Sequence, residues 1–270
     1  TLWGLRLEIC QHFDQYANVR PSRLLPGIQS PLKNIGPAEL DWVIVRENTE
    51  GEYSGAGGRV HPKLPQEVGI DVSVFTRDGI ERVMRYAFEL ALTRPKKQLT
   101  LVTKSNAQRH GMVLWDEVFE KLKHDYPGIT TDRMLVDAIT TRMVLQPQSL
   151  DTIVATNLHA DILSDLAAAL SGSLGIGPTA NINPERTFPS MFEPIHGSAF
   201  DLVGKDLANP LGAFWSCVMM LEHLQEKKGA SLLMSAIEEV CQEGRHLPKD
   251  LGGNSCTGEV TTAVCAALKK

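Results

Sequence analysis

The stretch ATNLHADILSD, residues 155–165, places Asp161 and Asp165 four positions apart at the start of an apolar helical pattern. Residues at i and i+4 share a helix face one turn apart, so the two carboxylates repel unless a cation lies between them. Such a pair alone is ordinary solvated helix surface. Here the helix continues as LAAAL, and a first-turn position faces the strand ends. Asp137, in TDRMLVDA, can supply a third oxygen. A carboxylate set without Cys or His suits a hard ion, Mg2+ or Mn2+, over Zn2+. His159 lies in the turn, where a single His is more often a cap or surface group, and it receives no role.

Other chemistry-bearing residues follow strand-like runs. Lys104 ends QLTLVTKSN and reads either as a snorkelling surface lysine or as a group aimed at the site, where burial would make it a base. Tyr53 fits a half-buried core residue or a site acid equally well. Arg20 (ANVRP) and Arg46 (VIVRE) are ordinary charges taken singly; converging, they suit a small dicarboxylate through bidentate pairing. The loop FEPIHGSAFDLVGKDLANP, residues 192–210, gathers Gly197, Gly204 and Pro210 around His196, Asp201 and Asn209. Its small residues let a flat ligand approach, making it a candidate nucleotide site, although no GxGxxG fingerprint occurs in the chain.

These positions require strands and helices in alternation. Strands are expected at 40–47, 98–106, 131–138 (ending in Asp137) and 150–157. Helices are expected at 76–94, with Asp78 and Glu81 as a capping box, and at 113–127, 211–227 and 229–244. The order implies an α/β sheet with helices on both faces and ligands at the carboxyl ends of its strands. The opening TLWGLRLEICQHFDQY carries Leu2, Leu5, Ile9 and Phe13 near helical spacing and reads as the middle of a helix, so an upstream segment is expected.

Composition narrows the partners. The 270 residues are 43% hydrophobic and 22% charged with a net charge of −5, which is globular and argues against nucleic acid or an anionic membrane. No apolar run reaches the roughly 20 residues that span a bilayer. Five cysteines without CxxC spacing read as free thiols in a reducing cytoplasm.

Together DQYANVRP, VRENTEGEYSG, TKSN, DILSD, ERTFPSMFEPIHGSA and GKDLANP closely resemble the metal-dependent β-decarboxylating 2-hydroxyacid dehydrogenases, along the whole chain. TKSN and ERTFPSMFEPIHGSA look most like the tartrate/D-malate branch; RENTEGEYSG and KDLGGN are shared with NAD-dependent isocitrate enzymes. The resemblance implies the isopropylmalate-dehydrogenase-like two-domain α/β/α sandwich. Residues 16–172 would form the central substrate, metal and dimerisation domain, and 1–15 with 173–270 the cofactor side. It implies a cytoplasmic homodimer that uses NAD and Mg2+ or Mn2+ on tartrate, D-malate or a similar small 2-hydroxy dicarboxylate. Asp161 and Asp165 would hold the metal with Asp137 of the other subunit, and Arg20 and Arg46 the substrate carboxylates. Lys104, also from the partner, would be the base or proton relay and Tyr53 the acid. His196, Gly197, Ser198, Ala199, Asp201 and Asn209 would line the adenosine side of NAD, with Asp201 opposing a 2′-phosphate.

Departures also stand out. Cys10 occupies a position where the family carries an arginine, and Arg6 lies one helical turn earlier. NLHAD replaces NLFGD, and GSAFD replaces GSAPD. The family's opening strand and Gly-rich loop are not in this chain. Isocitrate or 3-isopropylmalate as substrate, or a non-catalytic regulatory subunit, are the rival readings.

Overall fold

The computed structural model describes residues 2–270. Nine strands in chain order are β1 (Ala17–Arg23), β2 (Asp41–Glu47), β3 (Gly51–Val60), β4 (Val68–Val74), β5 (Gln98–Thr103), β6 (Thr130–Leu135), β7 (Thr152–Ala155), β8 (Pro178–Ile182) and β9 (Met191–Pro194). Seven of them form one sheet in the order β6-β5-β7-β2-β1-β8-β9, while β3 and β4 make a separate hairpin. β6, β5, β7 and β2 run parallel, and β1, β8 and β9 continue the sheet antiparallel.

Helices cover both faces because the central strands β2, β5 and β7 carry apolar side chains on both sides. Ile44, Val102 and Ile153 pack into one core, and their chain neighbours Val45, Leu101 and Val154 into the other, as side-chain alternation demands. The first core is closed by α5 (Asn157–Leu170), α6 (Leu211–His223), α7 (Lys227–Glu243) and α8 (Thr257–Ala267). The second is closed by α2 (Arg77–Thr93) and α3 (Gly111–Leu122), where Phe88 stacks on Tyr126 at 4.6 Å.

Two local expectations are corrected. The α2 cap is Thr76, whose hydroxyl accepts from the Gly79 amide at 3.0 Å, while Glu81 turns outward to pair with Arg85. A Thr in extended conformation three residues before a free N–H serves as cap before Asp78 is reached. The strand expected to end in Asp137 stops at Leu135; Asp137 lies in the first turn of α4 (Val136–Leu145). The amino-terminal helical pattern is a π-helical turn, Leu2–Arg6, running into α1 (Leu7–His12). All five cysteines are free. Among the described residues no helix is long and apolar enough to cross a membrane.

Candidate active site

The α5 helix starts directly after β7, capped by the Thr156 hydroxyl accepting from the His159 amide at 3.3 Å. This cap fixes the rotation of α5 so that Asp161 faces the sheet between β1 and β2. Antiparallel pairing sets Asn18 opposite Arg46 and Arg20 opposite Ile44, which puts both arginines on the face that α5 covers. Arg20 Nη1 donates to Asp161 Oδ1 at 3.1 Å and to Ser164 at 2.7 Å. Arg46 Nη1 reaches the same Oδ1, and its Nε donates to Asn157 at 2.9 Å. Tyr53, on β3, donates to Asp161 Oδ2 at 3.2 Å and lies 5.3 Å from the Arg46 guanidinium. The structure therefore brings Arg20, Arg46, Tyr53 and Asp161 into one hydrogen-bonded group.

Its electrostatics follow from burial and charge. Burial lowers the basicity of Arg20 and of Arg46. Burial also pushes the Asp161 carboxyl up, but Arg46 and Arg20 outweigh it and hold that carboxyl below the usual range. Asp165 is shifted the other way, first by burial and then by the Asp161 charge. Burial and Asp161 raise the Tyr53 phenol, which therefore keeps its proton.

Asp137 does not join this group within one chain. It forms an ion pair with Lys104, which lowers its carboxyl. The Lys104 side chain is partly exposed within this pair. Among the described residues no set of three or more acidic, His or Cys side chains gathers to hold a metal. Asp161 and Asp165 offer oxygens of the right chemistry for a hard divalent ion. His159, expected as a cap or surface group, is buried, and its Nδ1 has no hydrogen-bond partner.

A cavity of about 940 Å³ lies at the other end of the sheet. Its walls include His196, Gly197, Ser198, Ala199 and Asn209 from the expected loop. Asp201 does not line it; the carboxylates there are Asp206 and Asp250, which the sequence reading did not single out. Asp201 sits on the short 3-10 turn Phe200–Leu202, entered through Ala199 at φ 41°, and the turn carries it off the wall. Asn209 holds the cavity's shape: its Nδ2 donates to Asp250 at 2.9 Å and its Oδ1 accepts from the Leu211 amide at 2.9 Å. Gly212 lets α6 approach this wall, because a Cβ there would lie 2.8 Å from the Gly175 carbonyl oxygen.

The arrangement matches known proteins. Residues 4–266 match the isocitrate/isopropylmalate dehydrogenase family model. The chain is 67% identical over 268 residues to a protein named probable tartrate dehydrogenase/decarboxylase from Agrobacterium vitis, covering 99% of this chain and 75% of the relative. It is 48% identical over 273 residues to the D-malate dehydrogenase (decarboxylating) of Escherichia coli K12, covering 99% and 75%. The crystal structure of isocitrate dehydrogenase from Methylococcus capsulatus superposes with a TM-score of 0.91 at 37% identity, covering 99% of this chain and 77% of that one. Similarity in sequence and in backbone thus runs along nearly all of this chain, and the chain belongs to the isocitrate/isopropylmalate dehydrogenase family.

Proposed function

We propose that this protein is an NAD- and Mg2+/Mn2+-dependent dehydrogenase oxidising a small 2-hydroxy dicarboxylate, of tartrate or D-malate size, with loss of CO2. The observation that carries the reading is the clasp around Asp161: two buried guanidiniums and a protonated phenol on one carboxylate, one turn from Asp165. The relatives named for tartrate and D-malate support the substrate class.

Asp161 and Asp165 would hold the divalent ion, which when bound acidifies the substrate hydroxyl and stabilises the negative charge left as CO2 departs. Arg20 and Arg46 then have nitrogens to turn toward the two substrate carboxylates, fixing which carbon faces the nicotinamide. Tyr53 keeps its proton and delivers it to carbon after decarboxylation. The cavity beside Asn209 would take the adenosine half of NAD.

Lys104 and Asp137 would serve the site of a second copy, Lys104 relaying the hydroxyl proton by passing one of its own to Asp137 as it takes up that of the substrate. Two features support a homodimer. This pair stands apart from Asp161 as its own ion pair. On the β3–β4 hairpin, Val68, Ile70, Val72 and Val74 recur at every second residue, each 40–49% exposed, forming an apolar strip that an isolated chain leaves uncovered.

The test is NADH production with Mn2+ across tartrate, D-malate, isocitrate and 3-isopropylmalate, repeated for Lys104→Ala. Turnover of a C4 dicarboxylate, lost in Lys104→Ala, supports the reading. Preference for isocitrate or 3-isopropylmalate overturns the substrate class, and metal binding without any turnover favours a regulatory subunit.

A further inference from the structure

The π-helical turn at the amino end brings a third guanidinium to the same network. Arg6 folds back onto the sheet: its Nε donates to Glu193 at 2.9 Å, and its Nη2 donates to Asn181 at 3.0 Å and Asn48 at 3.4 Å. Asn181 Oδ1 also accepts from Asn18 at 2.8 Å and from Asn48 at 3.0 Å. Asn18 Oδ1 in turn accepts from Arg20 Nε at 2.7 Å. Asn181, Asn18 and Arg46 form a cross-strand row on β8, β1 and β2. Two amide side chains therefore link Arg6 to Arg20, and the sheet register links both to Arg46.

These bonds orient three cations without using all their donors. Among the described residues, Arg6 Nη1, Arg20 Nη2 and Arg46 Nη2 donate to no protein acceptor, and none of the three nitrogens is both buried and unpartnered. Holding three like charges in one network is costly unless carboxylates offset them. Asp161 is shared by two of the arginines, and Glu193 faces the third. The same amino-terminal segment offers no other cation to this network, because Cys10, one turn beyond Arg6, is a buried neutral thiol.

We propose that Arg6 is a third carboxylate-binding residue of this site, held in place by Glu193 and Asn181, and that it makes the site discriminate dicarboxylates from monocarboxylates. This rests on the hydroxy-dicarboxylate reading and adds a residue and a selectivity to it. A planar guanidinium already gripped along its Nε–Nη2 edge presents its remaining nitrogen in a fixed direction, which loses little entropy on meeting a carboxylate.

The test compares wild type, Arg6→Ala and Arg6→Lys by steady-state kinetics and by calorimetric binding of D-malate to the Mn2+-loaded protein. Loss of one charge-assisted contact raises the D-malate KM and Kd roughly 10- to 100-fold in Arg6→Ala. The KM for NAD stays unchanged, the melting temperature falls only by the loss of the part-buried Arg6–Glu193 pair, and the preference for D-malate over D-lactate falls by the same factor. Arg6→Lys, which keeps the cation without the fork, falls between the two. Should Arg6→Ala fold poorly, an unaltered D-malate Kd in Arg6→Lys and in Arg6→Gln overturns the proposal, as does wild-type affinity in a folded Arg6→Ala. A wild-type protein that binds D-malate through Arg6 but turns over no hydroxy acid defeats the dehydrogenase reading alone.

Discussion

Tyr53 Oη donates to Asp161 Oδ2 at 3.2 Å, so the phenol hangs from the carboxylate that Arg20 and Arg46 also grip. One carboxylate thereby registers three elements, β1, β2 and the hairpin, against the amino end of α5. Because burial and the neighbouring Asp161 charge hold the proton on Tyr53, the group is a stored acid rather than a base.

Tyr53→Phe removes that proton and leaves the ring. General-acid catalysis contributes about 10²–10⁴-fold, so kcat falls by that order while the hydroxy-acid KM moves only a few fold. The lost hydrogen bond is worth about 1 kcal/mol, and thermal stability changes little. Steady-state kinetics with a melting curve on the same sample checks this; an unchanged kcat removes Tyr53 from the chemistry.

Asp161→Asn and Asp165→Asn shift apo-protein stability in opposite directions. Neutralising Asp161 leaves Arg20 and Arg46 without their shared counter-charge, which costs about 3 kcal/mol, the low end for breaking a buried pair because Asp161 is itself partly exposed. Neutralising Asp165 relieves repulsion from Asp161 and leaves stability equal or slightly higher. The pH dependence has matching signs. The depressed Asp161 carboxyl contributes stability that is present above its unfolded value of about 3.9 and is lost as pH falls through its folded value. The raised Asp165 carboxyl instead costs stability above its folded value, and that cost disappears on acidification. Urea titrations of both variants at pH 7 and pH 4 read the two signs, and both variants lose Mn2+ affinity.

What was legible in the sequence is what local pattern and charge encode. The parallel strands β2, β5 and β7 announce themselves as apolar runs, and the polar ends of the first two carry Arg46 and Lys104. Less legible were β1, β8, β9 and the β3–β4 hairpin. β1 and β8 have Asn18, Arg20 and Asn181 buried within them, which breaks the apolar run a buried strand ordinarily shows. Those polar side chains are satisfied by one another across strands and by residues distant in sequence, such as Asp161 and Ser164, a relation that no single window contains. The exchange of Asp201 for Asp206 and Asp250 on the cavity wall has a similar origin. It depends on the left-handed residues Ala199 and Asp206 and on Gly204 at φ 75°, which turn a polar loop in ways its composition does not specify.

Lys104→Ala and Asp161→Asn, inactive separately, should complement each other when the two chains are refolded together. If each site takes Lys104 and Asp137 from one copy and Asp161 and Asp165 from the other, every heterodimer contains one intact site and one doubly damaged site. Random association then restores about a quarter of wild-type activity per protomer. Activity that stays at the level of the separate variants, in a mixture shown by native mass spectrometry to contain heterodimers, means that each chain completes its own site. The ion pair between Lys104 and Asp137 would then be an internal surface contact only.

Asn209→Ala separates the nucleotide half of the site from the acid half. In the wild type its side chain spans from Asp250 to the first free amide of α6, so truncation releases a cavity wall and uncaps a helix at once. Losing the cap costs about 1 kcal/mol of stability, measurable by denaturant titration. The wall's movement weakens NADH binding, read as a lower affinity in a fluorescence titration without any hydroxy acid present. The KM for the hydroxy acid at saturating NAD stays at the wild-type value, because Arg20, Arg46 and Asp161 are held by β1, β2 and α5 independently of this loop. A variant whose NADH affinity is untouched while its stability falls would reduce Asn209 to a helix cap and remove the cavity's claim on the nucleotide.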